Sequence, residues 1–200
     1  MTGCLVGVVA NPASGRDVRR LVSGASVFDN AEKGAMIARL LAGLGAVGVD
    51  KTLLMPASDG VAESLLRHRS GRSGSLLAQP QPELEFIDMP LRGNATDTAD
   101  AVSAMVERKV AVIVVMGGDG THRIVARHCH DVPLCALSTG TNNAFPELRE
   151  ATVAGLAAGL VATGRVSLRR ALRREKMLRV TAAGRTDCAL VDVALTTDRF

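Results

Sequence analysis

Two hydrophobic periods alternate along this chain. Short unbroken apolar runs, CLVGVVA (Cys4–Ala10), KTLLM (Lys51–Met55), LEFIDM (Leu84–Met89), VAVIVVM (Val110–Met116) and VPLCALS (Val132–Ser138), read as buried strands. Between them lie segments with helical spacing. In FDNAEKGAMIARLLAGLG, Asp29 and Glu32 form a capping-box signal, and Met36, Ile37, Leu40, Leu41 and Leu44 form one stripe. GVAESLLRHR, TADAVSAMVERK (with Ala99, Val102, Met105 and Val106 on one face) and THRIVARHC follow as helices. PELREATVAGLAAGLVATG is a further helix, with Pro146 near its first turn and Glu147 and Glu150 facing the positive end of its dipole.

Strand–helix alternation of this kind predicts an α/β fold: a doubly wound, mostly parallel sheet with helices on both faces. After Lys176 the pattern changes. KMLRVTAAG and TDCALVDVALT are two strands in succession around an Ala-Gly turn. They read as the start of a β-rich second domain or as an antiparallel extension of the first sheet. The division expected is 1–165 for a nucleotide-binding α/β domain and 166–200 for the beginning of an incomplete β-rich domain. The polar, Gly/Ser/Pro-rich stretch Arg69–Glu83 is the segment expected to be mobile.

The chemistry concentrates where strands end. VIVVMGGDGTH places three glycines, Asp119 and Thr121 between a strand and a helix. Ligands of open α/β sheets bind outside the carboxyl ends of the strands. Amides at a helix start, with the helix dipole, make an anion site that glycines let a phosphate approach. Asp119 suits a proton taken from a hydroxyl, or a Mg²⁺ ion beside phosphates. NPASG (Asn11–Gly15) and STGTNNAFP (Ser138–Pro146) follow two other strands and carry hydroxyls and amides that can hold phosphate and sugar. The three loops are expected on one rim. No Walker A pattern occurs, and no G-x-G-x-x-G follows the first strand.

Composition narrows the classes. Aromatics make up 2% of the 200 residues, which removes the stacking platforms that single-stranded nucleic acid requires, so no nucleic-acid partner is expected. Much of the formal charge of +4 lies in the basic run Arg165–Arg179, read as a solvated helix face or an inter-domain connection in preference to an anion-binding patch, with a smaller cluster at Arg16, Arg19 and Arg20. Cys4, Cys129, Cys135 and Cys188 are scattered and imply no disulfide framework. The start lacks a basic signal region, and no apolar run reaches the length of about 18 residues that a membrane span needs. A cytoplasmic location is expected, and a homo-oligomer is compatible with the sequence. His122, His128, Cys129 and His130 lack finger-like spacing, so no metal ligands are assigned. His122, beside the glycines, is read either as a phosphate contact or as a helix-surface residue.

GGDGT together with NPASG and GTNNAF resembles the NAD kinase and diacylglycerol kinase-like superfamily, and within it the ATP-NAD kinase-like proteins of the acetoin-catabolism type. The resemblance covers essentially the whole chain. It implies a doubly wound N-terminal domain, a β-rich C-terminal domain and nucleotide between them. It implies an ATP- and Mg²⁺-dependent kinase, with Asp119 acting on the acceptor hydroxyl, nominally the adenosine-ribose 2′-hydroxyl of NAD. It also implies phosphate contacts from Gly117, Gly118, Gly120 and Thr121, and ATP contacts from Asn11, Thr139, Gly140, Thr141 and Asn142. Where NAD kinases carry an Asn-Glu pair, ALVDVA here has Val191-Asp192, which makes Asp192 the corresponding second-domain acceptor contact. A lipid or polyol kinase, and a nucleotide-binding regulator without turnover, stand as alternatives.

Overall fold

The computed structural model describes residues 3–11, 30–56, 60–70, 80–140 and 143–196. Pro12–Gly15 of the NPASG loop, Arg16, Arg19, Arg20, the Asp29 cap signal, most of the 69–83 loop, Thr141 and Asn142 lie outside these residues.

Five strands, β1 (Leu5–Ala10), β2 (Lys51–Leu54), β3 (Glu83–Phe86), β4 (Val112–Gly117) and β5 (Leu134–Ser138), form one sheet in the order β3-β2-β1-β4-β5. Every pairing in it is parallel. Helices α1 (Asn30–Ala46), α2 (Val61–Ser70) and α5 (Ala151–Ala162) contribute to the core with Val6, Val8, Val112, Val114 and Met116. Helices α3 (Ala95–Glu107) and α4 (Asp119–His128) contribute to a second core with Val9, Ile113 and Val115. Alternate residues of one strand thus feed opposite cores, as the period-2 pleat dictates. This is the doubly wound α/β architecture expected from the sequence.

The helices begin where local chemistry lets them. Asn94 Oδ1 accepts the Thr96 amide at 2.8 Å and starts α3. On that helix Ala101 is buried and Ala99 is not, so the buried face is rotated from the one the sequence suggested. The start of α5 is a larger correction. It begins at Ala151, with Glu150 as its cap accepting the Val153 amide at 2.9 Å. Pro146 and Glu147 lie outside the helix because the Glu147 carbonyl accepts the Ser138 amide at 2.9 Å. Residues 143–150 are drawn along the edge of β5 instead of coiling.

After α5 come the four-residue helix α6 (Leu168–Ala171), which the sequence pattern did not reveal, and a separate antiparallel hairpin, β6 (Leu178–Ala182) with β7 (Arg185–Ala189). Ala183 and Gly184 both take positive φ, 49° and 74°, as a tight two-residue hairpin turn requires. The hairpin is not an extension of the first sheet, which rules out that alternative. Its second strand ends at Ala189, short of the run to Thr196 that the alternation suggested. Asp187 anchors it to α4, within 2.7 Å of Arg123 and 3.4 Å of Arg127. The Cys188 amide and then the Arg123 guanidinium hold the Asp187 carboxyl below its ordinary range. Leu178, Val191, Val193 and Leu195 are exposed. No described helix is long and apolar enough to cross a membrane.

Helices α1 and α5 touch backbone to backbone. A Cβ built on Gly155 would stand 2.3 Å from the Leu40 carbonyl oxygen, and one on Gly43 would stand 2.4 Å from that of Thr152. Propensity alone favours Gly155→Ala by roughly 1 kcal/mol. Overpacking against a carbonyl opposes it by about 1–3 kcal/mol. Chemical denaturation of Gly155→Ala is expected to show net destabilisation; a gain in stability would mean the two helices separate easily.

Candidate functional site

The register of the sheet builds the site. Ala10 pairs with Met116, and Gly117 pairs with Ser138. The residues that leave β1, β4 and β5, namely Asn11, Gly118 and Thr139, therefore emerge within one residue of the same level on three adjacent strands. The strand order reverses between β1 and β4, the crevice where open α/β sheets take their ligands. Asn11, Gly117 to Thr121, Thr139 and Gly140 are brought together there, while Thr141 and Asn142 lie outside the described residues.

Gly118 caps α4, and Asp119, Gly120 and Thr121 form its first turn, so the helix starts two residues earlier than the sequence pattern suggested. The first-turn amides have no partner within their own helix and carry the positive end of its dipole. The three glycines differ in surroundings. On Gly117 a Cβ would be 2.7 Å from Thr121 Cβ, and on Gly118 it would be 2.9 Å from Asn143 Oδ1. On Gly120 it would meet nothing within 4 Å. The first two glycines let neighbouring side chains pack closely, and the third keeps the ground above the helix start open.

Cross-links join the loops. Asn11 Nδ2 donates to Thr121 Oγ1 at 3.3 Å. Asp119 accepts the Phe145 amide at 2.8 Å and the Ala144 amide at 3.0 Å, so its carboxylate ties the β4 loop to the β5 loop. Asn143 Nδ2 donates to Ser138 Oγ at 2.7 Å, and that hydroxyl donates to the Gly140 carbonyl at 2.5 Å. Ser138 and Thr139 are buried.

His122 is neither a surface residue nor open to solvent. It is 0% exposed, its Nδ1–H donates to the Gly118 carbonyl at 2.9 Å, and its ring lies 5.8 Å from that of Phe145. It therefore corrects both readings of this residue: in this structure it braces the motif from below. Burial lowers its pKa, opposed by the Gly118 carbonyl and the Asp119 charge. Asp192 lies exposed beyond β7, and among the described residues it makes no hydrogen bond to the three loops. No group of three or more potential metal ligands exists among the described residues.

Sequence reasoning missed Asn143, Phe145 and Lys33. Asn143 and Phe145 sit in the quoted GTNNAFP stretch, where neighbouring residues were preferred. Lys33 is 0% exposed, and its ammonium donates to the Asn11 carbonyl at 3.2 Å. The signal was present: Lys33 lies three and four residues before Met36 and Ile37, on the stripe that faces the core.

The turn Gly117–Thr121 thus opens α4 beside Asn11, Thr139 and Gly140. The chain belongs to the family described as ATP-NAD kinase N-terminal domain, which matches residues 6–166. It is similar to acetoin catabolism protein X of Cupriavidus necator, at 42% identity over 98% of this chain and 55% of that protein. The chain thus spans little more than half the length of this relative. No solved structure matches it.

The depressed pKa of His122 has a consequence for stability. Unfolded, the imidazole takes a proton near its ordinary 6.5. Folded, it stays neutral to lower pH. Its contribution is fully present above the unfolded value and is lost as pH falls through 6.5 toward the folded one. Thermal unfolding between pH 7.5 and 5 is expected to show a steeper acid loss in wild type than in His122→Asn; parallel profiles would contradict a buried neutral imidazole.

Proposed function

We propose that this chain carries the phosphate-handling half of an ATP-dependent kinase that phosphorylates a hydroxyl, nominally the adenosine-ribose 2′-hydroxyl of NAD. The observation that carries this reading is that Asn11, Gly118 and Thr139 leave adjacent parallel strands side by side, at a helix start whose Gly120 leaves open space. Family membership supports the kinase class. The name of the similar protein, acetoin catabolism protein X, suggests acetoin catabolism as the setting.

The rim fits a polyphosphate. First-turn amides of α4 offer donors, Thr121 offers a hydroxyl, and Gly120 offers room for close approach. In this reading Gly117 and Gly118 shape the turn, and Asn11, Thr139, Gly140, Thr141 and Asn142 hold the nucleotide. Mg²⁺, when bound, would supply charge neutralisation on the phosphates, leaning chiefly on phosphate oxygens and water, with Asp119 as the nearby carboxylate. Asp192 is proposed as a second-domain contact to the acceptor.

Asp119 is the proposed base. A carboxylate has about four lone-pair sites, and the Ala144 and Phe145 amides leave capacity for an acceptor hydroxyl. The hydroxyl oxygen forms a bond to the terminal phosphorus, the bond from that phosphorus to the ADP oxygen breaks, and the hydroxyl proton passes to Asp119. Most of the rate then comes from positioning and charge stabilisation.

A second reading is a nucleotide-binding regulator without turnover. It is favoured by the engagement of Asp119 with two backbone amides, which gives the carboxylate a structural task, and by Val191-Asp192 in place of Asn-Glu. ADP release by the full chain, measured with NAD, simple polyols and diacylglycerol as acceptors, separates the readings. With a working acceptor, Asp119→Asn is expected to slow turnover by ~10²–10⁴-fold while ATP affinity changes little. Wild-type turnover in that variant would remove Asp119 as the base. Nucleotide binding without turnover on any acceptor would favour the regulator.

A further inference from the structure

We propose that Lys33 is the fixed cation of the donor-phosphate site, a positioning residue that acts through Asn11 and through its field. The inference rests on the reading of this rim as a polyphosphate site and adds to it a residue outside all three loops.

Lys33 projects from the first turns of α1, and the structure locks that segment in place. A Cβ on the neighbouring Gly34 would stand 2.6 Å from Ser64 Cβ, and Ser64 Oγ donates to the Ala31 carbonyl at 3.0 Å. With α1 pressed on α2 in this way, the lysine side chain is fully buried and its ammonium meets the Asn11 carbonyl at 3.2 Å. Asn11 is the first residue beyond β1, and its side-chain amide reaches Thr121 Oγ1 at 3.3 Å. Two hydrogen bonds therefore connect the ammonium to the first turn of α4.

Burying an ammonium costs several kcal/mol, and a buried charge together with its partners can often be replaced by hydrophobes of similar volume without loss of stability. A cation kept at this position is poorly explained as a device for stability. Its location explains it better. The C-terminal ends of β1 and β4 flank the switch-point crevice, and a charge held in low dielectric acts on an anion there with little screening by water. The α4 dipole points the same way. Lys33 also orients the Asn11 carbonyl inward, which leaves the Asn11 side-chain amide to hold Thr121. One residue thus joins Asn11, the first residue beyond β1, to the GGDGT turn and carries a positive charge beneath both.

A charge effect can be told from a packing effect by its dependence on the charge of the ligand. Binding of ATP, inorganic tripolyphosphate and adenosine to the full chain is measured by calorimetry for wild type, Lys33→Met and Lys33→Gln. Met removes the charge at similar volume. Gln removes the charge and keeps an N–H donor for the Asn11 carbonyl. Both variants are expected to lose about tenfold or more in affinity for ATP and tripolyphosphate, with adenosine affinity changed by less than about twofold. Equal losses on all three ligands, no loss on any, or full retention of ATP affinity in Lys33→Gln would overturn the proposal. The kinase reading fails separately: wild type that binds tripolyphosphate in a Lys33-dependent way but turns over no acceptor keeps this inference and loses that one. Wild type that binds neither ATP nor tripolyphosphate overturns both.

Discussion

The parallel ladder from β1 through β4 to β5 governs this molecule. Parallel hydrogen bonding admits no sliding here, because the alternating residues of β1 and β4 feed two different cores and a one-residue slip would exchange them. With register fixed, the chain must leave the three strands within one residue of the same level. The reversal of strand order between β1 and β4 then opens a crevice at that level. The glycines, the carboxylate and the amides of the candidate site are placed by this ladder before any ligand is considered.

The rim built on that ladder is held by its own polar groups. Asp119 draws the Ala144 and Phe145 amides toward the start of α4, Asn11 reaches Thr121, and Asn143 reaches Ser138. Beneath them, His122 packs against Phe145 and Lys33 carries its ammonium to the Asn11 carbonyl. The described residues of the rim are therefore held against one another. The β6–β7 hairpin touches the same helix through Asp187, Arg123 and Arg127, so whatever bears on the hairpin bears on α4.

The fold was legible because its signals are local. Five apolar runs each ended in turn chemistry, and Met36, Ile37, Leu40, Leu41 and Leu44 marked the core face of α1 and are all buried. The glycines and Asp119 were legible as a strand-end motif. What escaped depends on contacts distant in sequence. The partners of Asp119 are amides 25 and 26 residues away, and an amide has no sequence signature. The delayed start of α5 follows from capture of the Glu147 carbonyl by β5, which no propensity reveals. His122 was misjudged because its neighbours in sequence are polar while its neighbours in space are Phe145 and the Gly118 carbonyl. Lys33 was passed over because a charge on a core stripe reads as an interruption of the stripe.

The central claim is that a polyphosphate rests on the first turn of α4, over Gly120. The most direct test is ATP affinity, by calorimetry, of Gly120→Val in the full chain. The added side chain meets no protein atom at its Cβ and sits in a helix, so the fold is expected to keep its stability to within about 1 kcal/mol. ATP binding is expected to fall by about tenfold or more, because the new methyl groups would occupy the ground a phosphate must approach. Undiminished ATP affinity in a fully folded Gly120→Val protein would place the phosphates elsewhere and contradict the account.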